Sequence, residues 1–362
     1  MNNRRTFIKK SGLLLTALSL PIPNLLFAGG KKKLGVALVG LGGYSSNQLA
    51  PALQLTEYCE LRGIVTGSPE KIPQWQEKYG IPDANVYNYD NMHEIANNDD
   101  IEVIYIVLPN SMHAKYSIIA ANAGKHVWCE KPMAMNAEEC REMIAACEKN
   151  KVRLAIGYRL QHEKNNRIMM KWAETHPYGP IQELTAEAGF FSQNPGWRAV
   201  EEMGGGAMYD MGVYPLNTSR YTTGMEPIAV SAKSSTSRPE LFKEVDETMD
   251  FTLEFPDGIT AHCRTSFGEG MNILDVTCRN GSYYLQPFQT YSGVKGRTSD
   301  GKFLEPMRKN QQAVQMDDDA LAIMQHEPFI APGEDGLKDI IVLEKIYESA
   351  AQGGKKLKIE YS

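Results

Sequence analysis

The six cysteines form no CxxC or CxxH pair, and the seven histidines are scattered with no His, Asp or Glu cluster at ligand spacing. No metal site is therefore expected. Cysteines 59, 129, 140, 147, 263 and 278 sit mostly inside apolar strand or helix patterns, which favours buried free thiols over a disulfide framework. The apolar stretch Gly12 to Leu20 is too short to span a bilayer comfortably, so no stable membrane insertion is expected once it is removed. Repeats and low-complexity tracts are missing, and the 31 glycines and 19 prolines are dispersed, which excludes fibrous and disordered classes. An excess of positive charge is missing as well: acids outnumber bases 44 to 38, for a net charge of −6. That balance argues against nucleic acid as a partner.

What is present is a chain of 362 residues, long enough for two cores. Residues 1–28 contain no acid and read as an export signal, with a basic start, the apolar stretch, and Leu26-Phe27-Ala28 before Gly29. Asn3-Arg4-Arg5-Thr6-Phe7-Ile8-Lys9 resembles the twin-arginine motif that directs folded proteins across a membrane, which implies a periplasmic protein. Folded export suits an enzyme that takes up its cofactor in the cytoplasm.

From Leu34 strand and helix patterns alternate: LGVALVG, then 47–56, LRGIVTG, a polar helix over 69–79, VIYIVLP, 114–122 and HVWCEKP. A covering helix over 138–149 and a last strand VRLAIGYR follow. The pattern predicts an α/β chain whose first domain, residues 31–160, is a doubly wound parallel sheet of Rossmann type. Residues 161–362 change character. Met249, Phe251, Leu253 and Phe255 project one way before the Pro256-Asp257-Gly258 turn, and a second hairpin closes around Asn280-Gly281. This predicts an α+β domain with a large, mainly antiparallel sheet open on one face, and helices over 163–175, around 209–221 and over 336–350. An open face invites a homodimer or homotetramer.

Directly after the first strand stands Gly40-Leu41-Gly42-Gly43-Tyr44-Ser45, where a dinucleotide fingerprint would read GxGxxG or GxGxxA. Glycines let the backbone turn tightly and approach a pyrophosphate, and only the last small position departs, as Ser45. Strand before and helix after give the loop the required setting. At the end of the second strand an Asp or Glu would accept from an NAD ribose; the chain instead has Thr66-Gly67-Ser68 and then Lys71. Hydroxyls and a lysine suit a 2′-phosphate, so NADP is favoured, with NAD the alternative.

Four further segments carry the chemistry: Leu108-Pro109-Asn110-Ser111-Met112-His113, Glu130-Lys131-Pro132, Gly157-Tyr158-Arg159, and Gly204-Gly205-Gly206 followed by Asp210 and Tyr214. Lys131 ends a strand on the carboxyl edge of the sheet, where its ammonium could bond a substrate hydroxyl and stabilise a developing alkoxide. Glu130 could orient it. Asp210 and Tyr214, four apart, share one helix face. With these motifs the chain resembles the Gfo/Idh/MocA oxidoreductase family, and within it the glucose-fructose oxidoreductase branch, from about Leu34 to Pro332-Gly333-Glu334-Asp335-Gly336.

The resemblance implies an enzyme with Lys131, Asp210 and Tyr214 as catalytic residues, Tyr214 moving the hydroxyl proton while hydride passes between a sugar carbon and nicotinamide. It places Tyr158 with these three against the sugar. It implies a cofactor site of Gly40, Gly42, Gly43, Tyr44, Ser45, Thr66, Gly67, Ser68, Lys71, Leu108, Asn110, His113, Glu130, Lys131, Arg159, Trp197 and Arg198. Trp197 and Arg198 are equally open to a structural role, and His113 equally to a helix-start histidine satisfied by backbone. The reaction implied is oxidation of a cyclic aldose at C1 to its lactone, with a second sugar as candidate acceptor. Two rivals keep the same fold: a glycosidase that oxidises a sugar hydroxyl transiently and eliminates the aglycone, and a non-catalytic sugar-binding protein.

Overall fold

The computed structural model describes residues 33–361, so the signal read over 1–28 lies outside the described residues. Six parallel strands form the first sheet: β1 (Leu34–Val39), β2 (Cys59–Val65), β3 (Val86–Tyr87), β4 (Val103–Ile106), β5 (His126–Cys129) and β6 (Leu154–Ile156), in the order β3-β2-β1-β4-β5-β6. Strands β1, β4 and β5 are almost wholly buried runs of branched and aromatic residues, as strands covered on both faces must be. The chain runs outward from β1 to β2 and β3, then crosses back to β4 on the other side of β1, and this reversal of direction opens a crevice at the carboxyl ends of the strands. Helices α1 (Ala50–Leu53), α2 (Ile72–Tyr79), α3 (His113–Asn122) and α4 (Ala137–Lys149) make the crossovers. The Asn136 side chain caps α4 by accepting from the Glu139 amide. The face of α4 predicted to be covered is buried at Cys140, Met143 and Cys147.

Helix α5 (Lys164–Thr175) leads into a nine-stranded sheet in the order β14-β13-β12-β11-β7-β10-β9-β8-β15. Its strands are β7 (Ile181–Gly189), β8 (Ala229–Ser235), β9 (Thr248–Glu254), β10 (Thr260–Ser266), β11 (Met271–Cys278), β12 (Gly281–Leu285), β13 (Gly296–Thr298), β14 (Phe303–Leu304) and β15 (Leu357–Lys358). Every neighbouring pair is antiparallel except β7 with β10. Met249, Phe251 and Leu253 of β9 and Leu274 and Val276 of β11 are buried, while Asp275 and Thr277 are exposed, so the period-two pattern separates a core face from an open face. Each such side chain contributes roughly 1.5–3 kcal/mol by burial. The core face is covered by α6 (Val213–Thr223) and α8 (Gly333–Ala351). The other face carries Thr185, Glu187, Lys233, Asp250, His262 and Arg264.

Two features depart from the sequence reading. A helix not anticipated, α7 (Gln311–Gln325), buries Ala313, Met316, Ala320 and Ile323 in one core with Val36, Leu38 and Trp128 of the first sheet. This segment thus returns to the Rossmann sheet, where Pro332 also bridges Ala155 of β6, so part of residues 161–362 shares a core with the first domain. Second, α6 is tied to α8 through Arg220, whose guanidinium donates to Glu226 at 2.7 Å, to Asp335 at 2.9 Å and to Asp339. Burial alone would lower this arginine, but Asp339, Asp335 and Glu226 hold it well above the ordinary value. The pairing is fully surrounded by partners, so it fixes α6, and with it Tyr214, against the sheet.

Candidate active site

The glycine loop divides into two functions. Gly40 has φ of +91°, and a Cβ there would lie 2.4 Å from the Val107 carbonyl oxygen and 2.7 Å from the Leu108 side chain, so it serves the turn itself. A Cβ on Gly42 would meet nothing within 4 Å, and on Gly43 only the Asn47 amide at 3.9 Å. Their bareness has no internal cause; it leaves clear the space beside the loop where a pyrophosphate would lie, which is the fit a dinucleotide needs. Ser45 is fully buried and its hydroxyl donates to the Gly40 carbonyl at 2.5 Å, so the departure from the fingerprint reinforces the same turn.

At the end of β2, the Thr66 hydroxyl accepts from the Ser68 amide at 3.0 Å, and Gly67 lies under the Tyr89 ring, 2.7 Å from where a Cβ would be. The Lys71 ammonium donates to the Leu41 carbonyl at 3.1 Å, which brings a cation to the glycine loop. Gly40, Gly42, Gly43, Ser45, Thr66, Gly67, Ser68 and Lys71 therefore form one wall.

Strand β5 delivers Glu130 and Lys131 to the carboxyl edge. The Lys131 ammonium donates to the Asp210 backbone carbonyl at 2.7 Å, stands 3.6 Å from the Asp210 carboxylate and 4.7 Å from the centre of the Tyr214 ring. Burial alone would lower this lysine, but Tyr214, Asp210 and Glu130 outweigh it and hold the ammonium above its ordinary value. Burial would likewise raise Asp210, and the Lys131 and Arg198 cations reverse the sign and hold its carboxyl below the usual aspartate value. Arg198 donates to Asp210 at 2.6 Å, and its guanidinium lies 4.7 Å from the Trp197 ring, so Arg198 enters the site through Asp210 and Trp197 backs it. Asp210 sits in the widened turn Met208–Gly212 that opens α6, and both it and Tyr214 lie beside the Lys131 ammonium.

Lys131 is oriented by Asp210 rather than by Glu130. The Glu130 carboxylate instead accepts from the Tyr105 hydroxyl at 2.7 Å and is pushed up by burial, partly offset by Tyr105 and Lys131. Gly157 makes room for it, since a Cβ there would lie 2.8 Å from the carboxylate.

One reading needs correction, and three more residues are engaged inside the protein, His113 in the backbone-satisfied role held open for it. Tyr158 is buried and its phenol faces the Asp339 and Asp335 carboxylates and Arg220, which removes it from the sugar site; its neighbour on the strand end turned the other way. Arg159 is that neighbour, and both of its terminal nitrogens are engaged within the protein. It donates to the Thr290 carbonyl at 2.8 Å and to the Gln311 and Gln289 side chains at 2.5 and 3.0 Å, so it clasps the C-terminal half. His113 is fully buried, with its ring nitrogens 2.8 Å from the Pro132 carbonyl and 2.9 Å from the Leu108 carbonyl. It links the Leu108 loop to the Lys131 turn, and burial lowers its pKa. Asn110 too is engaged internally, donating to the Gly204 carbonyl at 2.7 Å; Gly204 has φ of +74° and permits the approach.

Sequence reasoning missed Tyr105, Gln311 and Tyr291. Tyr291 lies 5.8 Å, centre to centre, from the Tyr44 ring of the glycine loop and 4.9 Å from the Arg159 guanidinium. Its one signal was an aromatic inside the loop segment Pro287-Phe288-Gln289-Thr290-Tyr291. Among the described residues no group of three His, Cys, Asp or Glu could hold a metal, and no helix is long and apolar enough to cross a membrane. All six cysteines are buried and unpaired.

A glycine-lined groove at the carboxyl edge of a parallel sheet, closed by a lysine from that same edge and by a carboxylate and a phenol from the turn and helix of α6, has the make-up of a nicotinamide-type oxidoreductase. Residues 34–158 match the model of the oxidoreductase family with NAD-binding Rossmann fold, and residues 167–284 match the Gfo/Idh/MocA C-terminal domain. The chain belongs to the Gfo/Idh/MocA oxidoreductase family. It is similar to the aldose-aldose oxidoreductase of Caulobacter crescentus, with 37% identity, a TM-score of 0.87, and coverage of 91% of this chain and 100% of that one. It is also similar to the NADP-linked D-xylose 1-dehydrogenase of Haloarcula marismortui, 27% identical over 87% of this chain and 90% of the relative. A third relative is the D-glucoside 3-dehydrogenase of Escherichia coli, 28% identical over 69% of this chain and 74% of the relative.

Proposed function

We propose that this chain is an NADP-dependent aldose oxidoreductase that converts a cyclic aldose to its lactone, with a second sugar as the final hydride acceptor. The observation that carries the reading is the convergence of one ammonium, one carboxylate and one phenol, Lys131, Asp210 and Tyr214, at the open end of the groove. Similarity to an aldose-aldose oxidoreductase and to an NADP-linked xylose dehydrogenase supports the sugar and the cofactor assignments. Thr66, Ser68 and Lys71, with no acid at the end of β2, support NADP over NAD.

When bound, the nicotinamide supplies the hydride acceptor. The Tyr214 oxygen takes the C1 hydroxyl proton, and Lys131, held as an ammonium, stabilises the alkoxide that develops there. Asp210, held ionised between Lys131 and Arg198, fixes the ammonium and accepts from a neighbouring sugar hydroxyl. Reduction of the second sugar reverses these transfers at the same atoms.

The proposal includes export: Arg4 and Arg5 direct the folded, loaded protein to the periplasm, and replacing both by lysine retains it in the cytoplasmic fraction. It also includes a homodimer or homotetramer joined through the open sheet face, which light scattering of the purified protein measures directly.

The test of the reaction is the absorbance of purified, desalted protein near the nicotinamide band, before and after glucose and then fructose. A band that rises with one sugar and falls with the other supports the two-sugar cycle. Release of an aryl aglycone with no net nicotinamide change would replace this reading with the glycosidase; silence in both assays, with added NADP, would leave only sugar binding.

A further inference from the structure

The loop joining β12 to β13 is held more firmly than its position at the surface requires. Gln286 donates to the Lys295 carbonyl at 2.8 Å and closes the loop ends. The Asn272 side chain accepts from the Phe288 and Gln289 amides, each at 2.9 Å, and donates to the Gln289 carbonyl at 2.5 Å. Phe288 is fully buried beneath it. From the opposite side Arg159 grips the Thr290 carbonyl and the Gln289 side chain. Four independent ties thus fix residues 286–290, and the next residue, Tyr291, is what they present.

Tyr291 remains 46% exposed, and its hydroxyl has no hydrogen-bond partner among the described residues. Its ring meets the Arg159 guanidinium at 4.9 Å and the Tyr44 ring at 5.8 Å, and Arg159 in turn lies 5.5 Å from the Tyr214 ring. Burial raises the Tyr291 phenol, and the Lys131 ammonium and the Glu130 carboxyl act on it in opposite directions, so it stands within electrostatic reach of the reacting groups. A large amphipathic ring is therefore held rigidly beside the reacting groups while much of its surface faces outward. Holding it costs side-chain entropy that no internal contact of the ring's open surface returns.

We propose that Tyr291 is a specificity-determining sugar contact, the platform on which the C–H face of a pyranose with equatorial hydroxyls lies while Lys131, Asp210 and Tyr214 take its polar edge. The proposal rests on the sugar oxidoreductase reading above and adds the residue that selects the sugar. With all hydroxyls equatorial, the pyranose face that carries H2 and H4 offers only C–H to the ring; an axial hydroxyl on that face, at C4 in galactose or C2 in mannose, interrupts it and is left against carbon without a partner. Glucose and xylose ring shapes are therefore preferred over galactose and mannose. Rigid presentation of the ring reduces the ordering cost at binding.

The test compares Tyr291→Ala, Tyr291→Leu and Tyr291→Phe with the parent, each checked by thermal melting and by bound nicotinamide per chain. The readouts are KM and kcat for glucose and galactose, and calorimetric titration of the NADP-loaded protein with a 1-deoxy-pyranose, which binds without reacting. For Tyr291→Ala we expect at least a tenfold rise in KM and in the Kd of the 1-deoxy sugar, with kcat within about threefold and nicotinamide content unchanged. Discrimination between glucose and galactose should shrink by a similar factor. Tyr291→Phe should behave as the parent, and Tyr291→Leu, which keeps bulk but not the flat ring, should fall near alanine. Unchanged sugar affinity in the alanine and leucine variants would overturn the proposal. So would loss of nicotinamide with sugar affinity intact at saturating NADP, or a phenylalanine variant as poor as alanine. A parent protein that neither turns over any aldose nor binds the 1-deoxy sugar would overturn the reaction reading along with it; a parent that turns over normally confines the failure to Tyr291.

Discussion

The two ends of the groove are built in opposite ways. The nucleotide end comes from contiguous chain: Gly40 to Ser45 and Thr66 to Lys71 leave adjacent strands and need only backbone geometry to meet. The reacting end is assembled from remote stretches, with Lys131 from β5, Arg198 and Asp210 from the turns before α6, Tyr214 from α6 and Tyr291 from the β12–β13 loop. Contiguous glycines make a surface that a ligand can approach. Side chains from several elements make a field, and their charges decide one another's protonation.

The sharpest way to break the comparison is at the reacting end. Lys131→Met should lower turnover about 1000-fold, close to the loss of one preorganised donor to a developing oxyanion, while nucleotide binding and melting temperature stay near the parent's. A steady-state assay paired with nucleotide fluorescence separates the two; equal loss of both would mean that the ends are one unit.

Within the glycine loop the contrast can be made internal. Gly40→Ala should destabilise the fold by about 3 kcal/mol, because it combines a positive φ with a clash against the Val107 carbonyl. Gly42→Val should melt like the parent yet bind nucleotide about 100-fold more weakly, near 3 kcal/mol. Urea unfolding with and without NADP reads both, and a destabilised Gly42→Val would end the division of labour.

A third prediction concerns the junction that α7 makes with the first sheet. Burial pushes Asp319 up to about 7 from the ordinary 3.8, with His162 nearby lowering it, and one carboxylate oxygen has no partner. A raised carboxyl is favoured when neutral, so it penalises the folded state fully above pH 7, and the penalty fades as pH falls from about 7 towards 3.8. Asp319→Asn should therefore stabilise the protein above pH 7 by about 2 kcal/mol, below a ceiling of about 4 kcal/mol, and the gain should vanish near pH 4. Melting curves from pH 4 to 8 give the slope, and a gain independent of pH would assign the effect to packing.

The smallest effect belongs to cofactor choice. Lys71→Ala should weaken NADP about tenfold, near 1.4 kcal/mol, and leave NAD unchanged. Equal weakening of both would place Lys71 at the glycine loop alone.

Much of the first sheet was legible because its strands are buried on both faces and read as continuous apolar runs, and because a strand-glycine-helix sequence allows few geometries. The Glu138–Lys149 face followed from period alone, and the two hairpins from period together with their Pro256-Asp257-Gly258 and Asn280-Gly281 turns. Helix α7 was not legible: its buried face includes Gln311, Gln312, Gln315 and Asp319, polar residues that an apolar-period reading assigns to solvent. The parallel pairing of β7 with β10 left no local mark either, since register between strands whose partners, such as Thr260 and Glu183, lie 77 residues apart is set by packing.

At the site, sequence by itself determined which residue types meet: a bare glycine loop, a lysine at a strand end, and a carboxylate and phenol one helical turn apart. Local chain geometry fixes each of these. Which way each side chain faces was decided only by the tertiary structure. Adjacent residues at a strand end point to opposite sides, so Tyr158 joined the Arg220 cluster and Arg159 the Tyr291 loop. Partner identity was decided there too, because Asp210 outcompeted Glu130 for Lys131 once Tyr105 had taken the Glu130 carboxylate. Pairings of this kind depend on distances between segments far apart in the chain, and sequence spacing carries no measure of them.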